Sequence, residues 1–202
     1  LLYPLFRGSL LPSNAMSDNV RIAKRGKVLI AEPLMGDPNF DRTVVFLTDH
    51  NPEGSVGFIL NRLIDLSFND IVLDFPNFET AIAEGGPVQQ DNLFFLHTKG
   101  DLLPGSEEII TGVYWGGDFN ILKELISLEL ITPKDIRFFL GYSGWSAGQL
   151  EAEIDQKAWQ IAPANSEIIF NDVPEKIWPK VLASLGGDYP LWQNTPLDPN
   201  LN

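Results

Sequence analysis

Two histidines, His50 and His97, are the side chains here whose ordinary titration lies near neutrality, so any general acid–base step at physiological pH looks first to them. Carboxylates that could orient or pair with them include Asp37, Asp41 and Asp49. A second arrangement is Gly144-Trp145-Ser146-Ala147-Gly148, which fits G-x-S-x-G between an apolar run and a helical pattern, the setting of a nucleophile elbow. Hydrolases built on that elbow carry their histidine after the serine, whereas both histidines precede it here. Ser146 is therefore read as a helix cap, with Gln149 three residues on completing a capping-box spacing.

Other chemistry is thinly represented. Neither histidine sits in a metal-ligand motif such as H-E-x-x-H, and without cysteine there is no thiolate nucleophile, disulfide or Cys-ligated metal. No metal or cofactor is expected. Gly85-Gly86-Pro87-Val88 lacks the lysine of a phosphate loop and reads as a turn. Asn61 and Arg62 close an apolar segment, where polar groups can face a cleft; Arg42 or Arg62 can instead pair with a nearby aspartate.

The elements that must hold these groups follow from pattern. Arg137–Leu140 reads as a doubly covered strand, Gly141 and Gly144 as the turn after it, and residues 146–157 as a helix with Leu150 and Ile154 on one face. Lys27–Ala31 and Thr43–Thr48 are strands. Asn51-Pro52-Glu53-Gly54 is a tight turn returning into Ser55–Leu60, the clearest hairpin in the chain. Met35–Phe40 is a turn, Ser67–Leu73 one or two helical turns, and Phe75–Thr80 a loop. Ala81–Ala83, Leu93–His97 and Glu108–Tyr114 each read as one strand. Asp118 is an N-cap for a helix to about Leu128. Ala158–Ala162 and Ile168–Phe170 read as strands, and Pro174–Leu185 as a helix kinked or divided at Pro179. Trp145, Trp159 and Trp178 read as core, and Trp115 as a contact residue. Hairpins rather than crossover helices favour an α+β domain over a doubly wound sheet.

Ser13-Asn14-Ala15 before Met16 has the look of a cleavage scar, so residues 1–15 are expected to be non-native. Residues 16–26 form a basic extension with Arg21, Lys24 and Arg25, read as a short helix ending at Gly26 with Lys27 beyond it. Residues 27–188 form one domain, and 189–202 a polar tail anchored by Trp192.

Fourteen basic and 27 acidic residues give a net charge of −13, which opposes binding to polyanions. Nucleic acid is thus a poor partner, and residues 146–157 carry Glu151, Glu153 and Asp155 against Lys157 alone. No apolar run has the length of a membrane span. Cysteine-free composition is compatible with the cytoplasm.

Several short motifs occur in order: Leu29-Ile30-Ala31, Asp37-Pro38-x-Phe40, Arg42-x-Val44-Val45, His50-x-x-x-Gly54 and Val56-Gly57-x-x-Leu60-Asn61-Arg62. Gly85-Gly86-Pro87-Val88, Leu96-His97 and Leu140-Gly141-Tyr142-Ser143-Gly144-Trp145-x-Ala147-Gly148-Gln149-Leu150-Glu151-x-Glu153 follow. Together they resemble the bacterial AlgH/YqgE family over roughly Lys27 to Trp159. The resemblance implies a single α+β domain with a branched, partly barrel-like sheet surrounded by helices, in a cytoplasmic bacterial setting. It also brings a transcriptional-regulator label. Leu63 departs from the proline common after Asn-Arg, and Ser146 from a common glycine.

The expectation is a non-catalytic binding or regulatory domain whose partner is a protein or small ligand. Its candidate contacts are Asp37, Arg42, His50, Asn61, Arg62, Gly85, Gly86, Pro87, His97, Trp145 and Gln149. A hydrolase using His50 or His97 with a carboxylate, and a DNA-binding regulator, are the alternatives.

Overall fold

Strand β9, Ile136–Ser146, is the axle of the structure, a computed structural model that describes residues 22–33 and 35–195. One edge pairs antiparallel with β6 (Val88–His97). The other edge is shared: Phe138–Leu140 run parallel to β5 (Ala81–Glu84), and Ser143–Ser146 run antiparallel to β3 (Gly54–Ile59). Two strands on successive lengths of one edge make the sheet branch there. Beyond β3 the path continues through β2 (Val44–Asn51) and β1 (Lys27–Ala31) to β10 (Trp159–Pro163). Beyond β6 it continues through β8 (Val113–Trp115) to β7 (Glu107–Ile110), while β4 (Leu63–Ser67) pairs with β5. The ten strands form one branched α+β sheet that does not close, because β10 and β7 end the path unjoined.

Both faces are covered, which is why the strands read as unbroken apolar runs. From β1, Val28 and Ile30 enter a core closed by Ile177, Trp178, Val181 and Leu182 of α5 (Pro174–Leu185). Leu29 and Ala31 face the opposite way, toward Leu150 of α3 (Gln149–Asp155) and Trp145 and Trp159. A third core joins Phe68 of α1 (Phe68–Ile71) and Leu122 and Ile126 of α2 (Phe119–Ser127) to Phe138. Strand β9 supplies Phe139, Trp145 and Phe138 to the three cores in turn.

Several local readings are corrected. Gly141 and Gly144 do not end the strand; β9 runs through both, with Gly141 at φ +67°. Its missing side chain matters, since a Cβ there would lie 2.6 Å from the Gly86 carbonyl oxygen, and one at Gly85 would lie 2.1 Å from that of Gly141. The Gly85-Gly86 turn is thus pressed against β9, with Gly85 N–H donating to Leu140 O at 2.8 Å. Glu108–Tyr114 is a hairpin, β7–β8, folded at Gly112. Ile168–Phe170 belongs to helix α4 (Ser166–Phe170), started by Asn165 Oδ1, which accepts from Ile168 N–H at 2.9 Å. Helix α5 continues through Pro179.

Asp118 caps α2 as expected, accepting from the amides of Asn120 and Ile121. Residues 22–26 contain a turn at Arg25-Gly26 rather than a helix. Trp115 is half-buried, 6.1 Å from Phe58. Residues 1–15, and Arg21 of the basic extension, lie outside the described residues. Among the described residues no helix is long and apolar enough to cross a membrane.

Candidate functional site

The eleven candidate residues separate into four places. Asp37, Arg42, Asn61 and Arg62 organise one loop. Asp37 Oδ1 accepts from the backbone and side-chain nitrogens of Asn39 at 2.8 and 2.9 Å. Asn61 accepts from Val44 N–H at 2.7 Å and donates to Arg42 O at 2.8 Å, so its amide is engaged by backbone at both ends. Arg62 donates to the carbonyls of Asn39, Pro38 and Asp41, with Glu84 3.9 Å away. Arg42 donates to Thr195 O and lies over the Trp178 ring at 5.3 Å. What this loop presents is Phe40, which stacks on Trp145 (5.9 Å, 22°) and meets Trp159 edge-on.

Gly85, Gly86 and Pro87 form the turn packed on β9. His97, at the end of β6, is fully buried. Its Nδ1 accepts from Lys99 N–H at 3.2 Å, which puts the proton on Nε2, 3.0 Å from both Gly116 O and Ser106 Oγ. Ser106 in turn donates to Leu103 O. Burial holds the His97 imidazolium pKa below its ordinary value, partly offset by the bond to Gly116. A neutral ring with both nitrogens engaged is a structural group.

The remaining three, His50, Trp145 and Gln149, converge at the β2–β3 hairpin. Register places His50 opposite Ser55, and Ser55 opposite Trp145 on β9. His50 Nδ1 lies 2.8 Å from Ser55 Oγ, and its Nε2 lies 3.5 Å from Glu151 Oε1 on α3. Trp145 donates to Glu153 Oε2 at 2.9 Å, and Gln149 donates to Glu153 Oε1 at 3.0 Å.

Ser146 does not cap α3. Gly148, at φ +73°, is the N-cap, and the Ser146 amide and hydroxyl both donate to Gln149 Oε1 at 3.1 Å. Only the Gln149 half of a capping box exists, since the serine oxygen accepts no first-turn amide. Neither histidine shares a hydrogen bond with Ser146, so the G-x-S-x-G spacing assembles no elbow.

Beside this end lies a cleft of about 390 Å³. Val56, Val88 and Tyr142 give it apolar surface, while Asp49, Asn51 and Glu53 supply acceptors; Gly54 and Gly144 leave room between them. Asp49 is among the carboxylates that the sequence offers, whereas Asn51 and Glu53 read only as turn residues. Their signal was the hairpin itself, which places a turn's side chains together. Among the described residues no group of three or more metal-ligating side chains occurs.

A family model described as AlgH-like (DUF179) matches residues 28–190. A UPF0301 protein of Pelodictyon phaeoclathratiforme is 46% identical over 179 residues, covering 89% of this chain and 96% of its own. One from Chlorobaculum tepidum is 43% identical over 187 residues, 93% of this chain and 100% of its own. The solution structure of the AlgH protein from Pseudomonas aeruginosa superposes with a TM-score of 0.69 at 33% identity, covering 85% of this chain and 94% of that one. A crystal structure from Corynebacterium diphtheriae (TM-score 0.71, 21% identity, 85% and 92% coverage) shares the fold. With its model matched across nearly the whole described chain and relatives this similar, the protein belongs to the AlgH-like family.

Proposed function

We propose that this chain is a non-catalytic binding or regulatory domain of the bacterial cytoplasm, engaging a protein or small-ligand partner at the β2–β3 hairpin end. The cleft carries the reading: its charged side chains are both carboxylates, joined by the Asn51 amide and Ser55 and set beside surface from Val56, Val88 and Tyr142. Such a wall suits a group that donates hydrogen bonds or carries positive charge on an aliphatic stem, as lysine and arginine do. Direct DNA contact has little support. The net charge is −13, and α3 is a seven-residue helix bearing Glu151, Glu153 and Asp155.

An NMR titration with N-acetyl-lysine amide and N-acetyl-glutamate amide tests this. Amide shifts confined to Asp49–Val56 and Tyr142–Trp145, induced by the lysine compound alone, are expected. Equal response to both, or shifts scattered over the surface, defeats the reading.

A second reading, a hydrolase, rests on the Ser55–His50–Glu151 series, which has the order of nucleophile, base and orienting carboxylate. Against it, Ser55 is 5% exposed and sits on a strand paired on both edges, where an oxyanion would need unengaged N–H donors. Labelling by a fluorophosphonate probe that Ser55→Ala abolishes would establish it, and absence of labelling removes it.

A further inference from the structure

After α5 the chain turns back as a short 3₁₀ helix, Tyr189–Asn194, that packs on α5 and reaches β10 through Tyr189. Three hydrogen bonds hold it, and one aromatic contact stiffens it from within. Tyr189 packs edge-to-face on Trp192 at 5.0 Å and donates from its hydroxyl to Gln160 Oε1 at 3.0 Å. Gln193 donates to Pro179 O at 3.4 Å, and Arg42 donates to Thr195 O. Between this turn and the sheet is a cleft of about 360 Å³, within the range of small-molecule sites. It shares no lining residue with the cleft at the hairpin.

The lining has a recognisable chemistry. Tyr189 and Trp192 give it flat aromatic surface, and only an edge of the buried Trp159 reaches it. Glu32, just past β1, and Lys157, just before β10, bring opposite charges to the same space. Glu32 is positioned rather than loose. Its amide donates to Ala158 O at 3.0 Å, and the Gln160 carboxamide, whose oxygen is taken by Tyr189, neighbours the Glu32 carboxylate and favours its charged form. One carboxylate so placed has acceptor sites to spare. Burial raises the Glu32 pKa, an effect that the Gln160 carboxamide and the Lys157 charge only partly offset, so a cation arriving there would relieve a desolvated anion.

We infer that this cleft is a binding site for a small zwitterion with a flat apolar body, an amino acid or close analogue. Its ammonium would meet Glu32 and the aromatic faces, its carboxylate would meet Lys157, and its body would lie against Tyr189 and Trp192. Neither a purely cationic nor a purely anionic ligand satisfies both charges.

Three probes of one shape separate these possibilities: L-phenylalanine, phenethylamine and 3-phenylpropionate, titrated into the full chain with amide NMR shifts as readout. L-Phenylalanine is expected to saturate, shifting Glu32, Gln160 and Tyr189–Asn194, with each single-charge analogue roughly tenfold weaker. Glu32→Gln should erase its advantage over phenylpropionate, and Lys157→Met its advantage over phenethylamine. Trp192→Ala should weaken all three while the rest of the spectrum stays native. The inference falls if no probe saturates, if both charge variants leave the ranking unchanged, or if the shifts appear at Asp49–Val56 instead. That last pattern would speak for the hairpin cleft, so the two proposals fail separately.

Discussion

Trp145 and Trp159 donate their indole N–H groups to the same oxygen, Oε2 of Glu153, at 2.9 and 2.8 Å, with their rings 5.9 Å apart. The two strands that flank α3 in the chain are thereby tied to it through one carboxylate, whose second oxygen accepts from Gln149. Glu153→Ala deletes three acceptor contacts and leaves two indoles unpaired beside an apolar core. A loss of about 2–3 kcal/mol in urea unfolding is expected, together with a shift in tryptophan emission. A surface-like change below about 0.5 kcal/mol would mean the carboxylate is not structural.

Asn61 and Arg62 hold the Asp37–Thr43 loop through backbone groups. Asn61→Ala is expected to cost about 2 kcal/mol and to loosen Phe40 from Trp159, visible in ring-proton NMR shifts. Binding at the hairpin cleft should persist in this variant where it remains folded. Loss of binding with stability intact would restore Asn61 as a contact residue.

Arg137 lies half-buried between Leu60 and Ile169, donating to both carbonyls, and packs over the Phe139 ring at 5.6 Å. Desolvation lowers its pKa to about 10. The Ile169 carbonyl belongs to the C-terminal end of α4, where a cation is favoured. Arg137→Met keeps the volume but orphans two carbonyls, so a loss of about 2–4 kcal/mol is expected by thermal and urea unfolding. Arg137→Lys should recover only part of it, because one ammonium cannot span both oxygens.

His97 makes stability fall on acidification. Its folded pKa is depressed below the ordinary 6.5, so between that lowered value and 6.5 the unfolded chain binds a proton that the folded chain does not. Its contribution is complete above 6.5 and is lost as pH drops through that window. Urea midpoints measured from pH 7.5 down to 5 should show this slope, and His97→Gln should remove it while lowering stability throughout.

The Gly85–Gly141 contact admits no Cβ on either side. Gly85→Ala and Gly141→Ala should each cost more than about 2 kcal/mol, the second also because its φ of +67° strains any side chain. Gly112→Ala, at the open tip of β7–β8, has no atom within 4 Å and should lose only the cost of its φ. Parallel thermal melts of the three variants decide it.

What the residues determined by themselves was local. The Asn51–Gly54 hairpin, the Asp118 cap, the α5 helix and the apolar strand segments all depend on contacts a few residues apart, and their signals were unambiguous. The α+β class followed from them, and the run of short motifs placed the chain in its family. Tertiary structure decided what local signals cannot carry. Gly141 and Gly144 look like a turn in isolation, yet pairing with β3, β5 and β6 carries β9 straight through them, because ladder bonds from three partners outweigh a glycine's local freedom. Asn61 and Arg62 lie against the backbone of a distant loop that the fold brings to them, and Asn61 with Arg42 also lines a cleft of about 310 Å³ beside Trp178. The two clefts depend on register alone: β3 laid on β9 sets Ser55 beside Trp145, and β10 laid on β1 sets Trp159 opposite Ala31, next to Glu32. Pairings over such separations rest on burying both faces of the sheet together, and no window of sequence contains both strands at once.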